Sequence, residues 1–131
     1  MSTNQRVGYA FGGVYLLVGL IGFAVTNGVG LAATEGGKIL GLFEVNPLHN
    51  IVHLAIGAAL VFAASKGAAM ARGTNMTIGA TYLLVAVLGL LIGTTDLNIL
   101  ALNGADHFLH LASGALLVAV ARAEVRRPVT A

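Results

Sequence analysis

NPLHNIVHLAIGAAL, residues 46–60, returns at residues 103–117 as NGADHFLHLASGALL. Seven of the fifteen positions are identical at a constant offset of 57. Each copy opens on asparagine, spaces its polar side chains about one helical turn apart, and continues as an apolar run. All four histidines of the chain fall inside the two copies. A second correspondence lies just upstream. Residues 7–22 align with 74–89 at an offset of 67, pairing Gly12 with Gly79, Gly22 with Gly89, and YLLV at 15–18 with YLLV at 82–85. One helical hairpin used twice accounts for both correspondences. The first apolar segment then reads as half of a repeat and not as a disposable leader.

Composition sets the surroundings of these helices. Of the 131 residues 57% are hydrophobic and only 9% charged, and the mean hydropathy is +0.90, the profile of a membrane protein. Spans are expected at about 7–26, 47–64, 74–93 and 104–120, within repeats at about 7–64 and 74–121, which leaves little chain for an aqueous domain. The fold expected is an all-α integral membrane four-helix bundle, a single domain of two tandem hairpins. Between the first two spans lies a Gly-rich connection, 27–45, whose apolar patch ILGLF at 39–43 is expected at the interface or folded back over the bundle. SKGAAMAR at 65–72 reads as the second connection and TTDLNILALN at 94–103 as the third. Seven Lys and Arg are scattered along the chain without a basic stripe, so nucleic acid is not an expected partner. The absence of cysteine excludes disulfides, thiolate metal sites and thiol nucleophiles.

Orientation follows from the cations. Arg6, Lys66, Arg72, Arg122, Arg126 and Arg127 fall on one side of a four-span arrangement, and Lys38 alone on the other, with Glu35, Glu44, Asp96 and Asp106. The positive-inside rule puts both termini in the cytoplasm of a bacterial inner-membrane protein and both histidine motifs at the outer ends of helices 2 and 4. Two spans per repeat give the two halves the same orientation.

Asn46, His49, Asn50, His53, Gly57 and Leu60 share one helical face, as do Asn103, Asp106, His107, His110, Gly114 and Leu117. Polar groups so near hydrocarbon are expected to face the bundle interior. Three kinds of reading stand open. In the structural one, Asn46 and Asn103 are N-caps, Pro47 takes the first helical position, Asp106 favours the positive end of the helix dipole, and His53 and His110 join helices by hydrogen bonds. In the ligand reading, His49, His53, Asp106 and His110 form a first shell for zinc or another divalent transition metal, since each helix offers two donors four residues apart. A b-type haem held by His53 and His110 is the variant, with Gly57 and Gly114 leaving room for the ring. Proton or small-solute conduction through the histidines is a further option. Tyr15 and Tyr82 occupy equivalent positions and read as packing residues. Gly8 with Gly12, and Gly89 with Gly93, form small-residue pairs suited to close helix contact.

NPLHNIVHL at 46–54, NGADHFLHL at 103–111 and YLLVGLIG at 15–22 resemble a family of small four-helix membrane proteins, largely actinobacterial, described only as a domain of unknown function. The likeness covers about residues 6–122. In that family the second motif usually carries asparagine where this chain has His107. The resemblance implies four spans and no established activity. No nucleotide motif or nucleophile triad is present, so the expected role is non-enzymatic: a self-associating protein or an accessory subunit of a membrane complex, in contact with the lipid bilayer and other membrane proteins. Metal or haem binding by the His/Asp cluster is the alternative.

Overall fold

The computed structural model describes residues 1–123; Arg126 and Arg127, expected in the basic tail, lie outside the described residues. Among the described residues the order is α1 (Thr3–Val25), β1 (Gly37–Ile39), β2 (Phe43–Val45), α2 (Pro47–Lys66), α3 (Ala68–Ile92) and α4 (Gly104–Ala123). All four helices are long and apolar enough to cross a membrane.

Local chemistry explains where each helix starts and stops. α1 begins ahead of the apolar run because Ser2 and Gln5 form a capping box: the Ser2 hydroxyl accepts the Gln5 amide at 3.2 Å, and Oε1 of Gln5 accepts the Ser2 amide at 2.9 Å. α2 starts on Pro47 behind the Asn46 cap. Residues 65–72, expected as a connection, are helical except for Gly67. Its φ of +124° reverses the chain in one residue, and the Ala- and Met-rich segment beyond it favours helix at once.

The apolar patch at 39–43 forms the bend of an antiparallel hairpin, with register Gly37↔Val45, Lys38↔Glu44 and Ile39↔Phe43. Leu40 and Gly41 both take positive φ, as tight hairpin bends require, and the Leu42 amide closes the turn on the Ile39 carbonyl at 3.1 Å. Ile39 and Val45 are buried, while the tip residue Leu40 is 90% exposed. The hairpin thus lays one apolar face over the bundle end and holds its tip away.

α1 packs chiefly on α2, and α3 on α4, giving two hairpin pairs that meet mainly through α2 and α3. Glycine sets the spacing within each pair. A Cβ on Gly12 would stand 2.8 Å from the Gly57 carbonyl oxygen, and one on Gly57 2.8 Å from that of Gly12; Gly79 and Gly114 meet in the same way at 2.9 and 2.8 Å. The small-residue faces of α1 and α3 are therefore spent inside the bundle. Gly8 packs on Ala64 of α2 and Gly89 on His107 of α4.

The cross-section is apolar outside and polar within. Leu20, Leu90 and Phe108 are exposed to 62%, 73% and 74%, whereas Asn4, Asn50 and Asn75 are fully buried. Water would penalise that outer surface and hydrocarbon would not. The described residues thus have the form of a multi-pass membrane protein. At the end away from the hairpin, Asn75 Nδ2 donates to the Asn4 carbonyl and Oδ1 at 3.0 and 2.9 Å, Asn4 Nδ2 donates to the Val120 carbonyl at 3.4 Å, and Gln5 Nε2 donates to the Ala64 carbonyl at 2.9 Å. These bonds join the four helices in a region where lipid supplies no partners.

Candidate metal centre

Two capping asparagines aim the site. The Asn46 side-chain oxygen accepts the His49 amide at 2.8 Å, and its Nδ2 donates to the carbonyls of Ala33 and Ile99, both at 2.8 Å. One buried amide therefore starts α2 and anchors both long connections. At α4, Asn103 Oδ1 accepts the Asp106 amide at 3.1 Å, and Asp106 Oδ2 accepts the Asn103 amide at 2.9 Å. The same Asp106 oxygen takes the Glu44 amide at 3.2 Å, and Asn103 Nδ2 donates to the Leu42 carbonyl at 2.8 Å. Asp106 is thus a capping carboxylate and the latch that holds the hairpin over the bundle.

One turn deeper, three imidazoles converge. His49, His53 and His110 are buried, and each offers a ring nitrogen such that the three donor atoms lie within 4.8 Å of one another. Nε2 of His49 is 3.1 Å from Nε2 of His53. That separation is a hydrogen bond when one nitrogen carries the proton and the other accepts. It is also close to the roughly 3.3 Å edge of a tetrahedron whose metal–nitrogen bonds are about 2.0 Å. His110 reaches across from α4, its ring centroid 5.8 Å from that of His49 and 6.2 Å from that of His53. Nδ1 of His53 and of His110 is buried without a hydrogen-bond partner among the described residues.

The two tyrosines complete the walls. The Tyr15 ring lies 5.3 Å from the His53 ring and 5.3 Å from Tyr82, and Tyr82 stacks on His110 at 4.9 Å with 7° between the planes. Below them Leu60 and Leu117, both fully buried, close the cluster off from the opposite end of the bundle. Each helix therefore gives at least one ring to one buried aromatic cluster.

The remaining residues of the two polar stripes stand elsewhere. Asp106 is not part of the group that brings the three imidazoles together. Asn50 lies against Gly22 and donates to the Thr26 hydroxyl at 3.2 Å, which itself donates to the Gly22 carbonyl at 3.0 Å. His107, the sequence equivalent of Asn50, lies on Gly89 and lines an outer pocket of about 350 Å³ with Glu35, Glu44, Asn98 and Asn103. Two features escaped the sequence reading. Tyr15 and Tyr82, expected as packing residues, do pack in the core but also border the histidines, for which their shared offset of 67 was the available signal. Asn98, buried in the last connection, accepts the Leu102 amide at 2.9 Å and donates to the Leu102 carbonyl at 3.0 Å, a loop-internal role with no periodic signature.

A four-helix membrane-type protein with a buried three-imidazole cluster is the class that these features define. The chain belongs to the family described as Domain of unknown function (DUF4383), whose model matches residues 5–123. No curated protein and no solved structure matches it.

Proposed function

We propose that this chain is a non-enzymatic, multi-pass protein of a bacterial inner membrane that holds one transition-metal ion on His49, His53 and His110. The observation that carries the reading is the convergence of three buried ring nitrogens within 4.8 Å, supplied by two helices. Hydrogen bonding accounts for the His49–His53 contact and stacking on Tyr82 for one face of His110, but neither requires the His110 ring nitrogen to converge on the other two. Imidazole is a good ligand for zinc, copper, nickel and iron, and three such donors fixed by helix geometry form a preorganised site. Asp106 supports the site by holding the hairpin above it.

Haem is the weaker reading. A porphyrin lying between His53 and His110 would have to displace the third imidazole, which stands 3.1 Å from His53, and would separate the Tyr82–His110 stack. We read the two helix pairs as copies of one hairpin, supported by the matching Gly12–Gly57 and Gly79–Gly114 contacts, with the charge-poor histidine end outward by the positive-inside rule. Self-association or docking in a larger membrane complex draws no support from the small-residue faces, which are buried between partner helices.

The test is elemental analysis and an absorption spectrum of protein purified gently from its own membrane, without chelator or a histidine tag. Near-stoichiometric metal that falls severalfold in His53→Ala and His110→Ala, with helicity retained, is the expected result. A metal-free protein that also fails to take up zinc or copper in vitro would sink the proposal.

A further inference from the structure

We infer that the three-histidine centre is built for monovalent copper in preference to zinc or any other divalent ion. The inference rests on the metal-binding reading above. Its first ground is charge. The converging donors are imidazoles only, and an imidazole binds metal as the neutral ring. Asp106, the acidic side chain carried by the motifs, commits an oxygen to the Asn103 and Glu44 amides and does not join the donor group. A bound divalent ion would bring two positive charges to a donor group that holds no carboxylate, beside the buried rings of Tyr15 and Tyr82. The cost of burying charge rises with its square, so a divalent ion meets roughly four times the desolvation penalty of a monovalent one.

Donor number points the same way. Protein zinc sites are four-coordinate, completing three histidines with a carboxylate, a thiolate or water. The chain has no cysteine, and aromatic rings stand on two sides of the cluster. Monovalent copper accepts three nitrogen donors without a fourth ligand, and imidazole is among the ligands that suit copper.

The experiment is a pair of competition titrations on the full chain in lipid nanodiscs without a histidine tag. Cu(I) is presented anaerobically against a chromogenic Cu(I) chelator, and Zn²⁺ against a fluorescent zinc chelator. The expected result is one Cu(I) per chain, bound at least about 100-fold more tightly than zinc, a difference of about 2.7 kcal/mol. Copper X-ray absorption should report three nitrogen neighbours and no sulfur, which separates this centre from adventitious binding at methionine. His110→Gln should weaken Cu(I) binding at least about tenfold, since losing even an outer-shell partner of a metal ligand typically costs that much, whereas His107→Gln, outside the cluster, should leave it unchanged. Should His110→Gln lose helicity, His49→Gln provides the same reading from the other helix. Zinc binding as tight as copper, or sulfur in the copper shell, would overturn the preference for Cu(I) while leaving a metal centre in place. Binding of neither ion would remove both readings.

Discussion

Asp106 carries the one carboxylate of the two polar stripes. Its position opposite His49 in the repeat makes it a natural ligand candidate, yet its Oδ2 accepts two backbone amides, one from its own helix cap and one from β2. A carboxylate so engaged is a structural acceptor, because each charge-assisted bond satisfies an amide that would otherwise be orphaned at a helix start or on the open edge of a strand. Asp106→Asn keeps the shape and one acceptor oxygen. It is expected to retain metal stoichiometry while costing about 1 to 2 kcal/mol of stability and raising hydrogen exchange at the Glu44 amide. Metal analysis beside exchange mass spectrometry checks this, and loss of metal with the hairpin still protected would restore Asp106 as a ligand.

At the scale of the helix pair, close approach matters more than side-chain volume. α1 and α2 approach backbone to backbone at Gly12 and Gly57, which places His53, one turn above Gly57, against Tyr15. Gly12→Ala would put a methyl 2.8 Å from a carbonyl oxygen and 2.7 Å from Val61, so the helices must part. Overpacking of this kind costs about 1 to 3 kcal/mol. Gly13→Ala, one residue along, meets nothing within 4 Å and is expected to be neutral or slightly stabilising through helix propensity. Thermal unfolding of the two variants in one detergent gives the comparison directly. Equal midpoints would mean that the close contact contributes no stability.

For the whole molecule, the distribution of polarity fixes the solvent. Buried asparagines and outward leucines are favourable together only when hydrocarbon surrounds the bundle, since a polar group left in lipid costs several kcal/mol without a partner. Orientation is testable with little preparation because the chain has no cysteine. A single cysteine replacing Leu40 at the exposed hairpin tip should react with a membrane-impermeant maleimide in intact cells. One replacing Gly67, in the turn between α2 and α3, should react only after the membrane is opened. The reverse pattern would invert the topology and place the histidine end in the cytoplasm.

Long apolar helices, caps and polar stripes were legible along the chain because each depends on neighbours within one or two turns. Asn46 before Pro47, Asn103 three residues ahead of Asp106, and histidines four residues apart all act through local geometry. The one-residue turn at Gly67 and the β-hairpin were less legible, since a positive φ and a three-residue strand leave almost no periodic trace. Folding alone sorted the shared stripe into separate tasks. Asn50 and His107 point at glycines of α1 and α3, Asp106 holds the hairpin, and His49, His53 and His110 meet between helices. Periodicity assigns a residue to a face of its own helix. Which neighbour that face meets depends on the angle and distance between helices, and here contacts across the bundle set both.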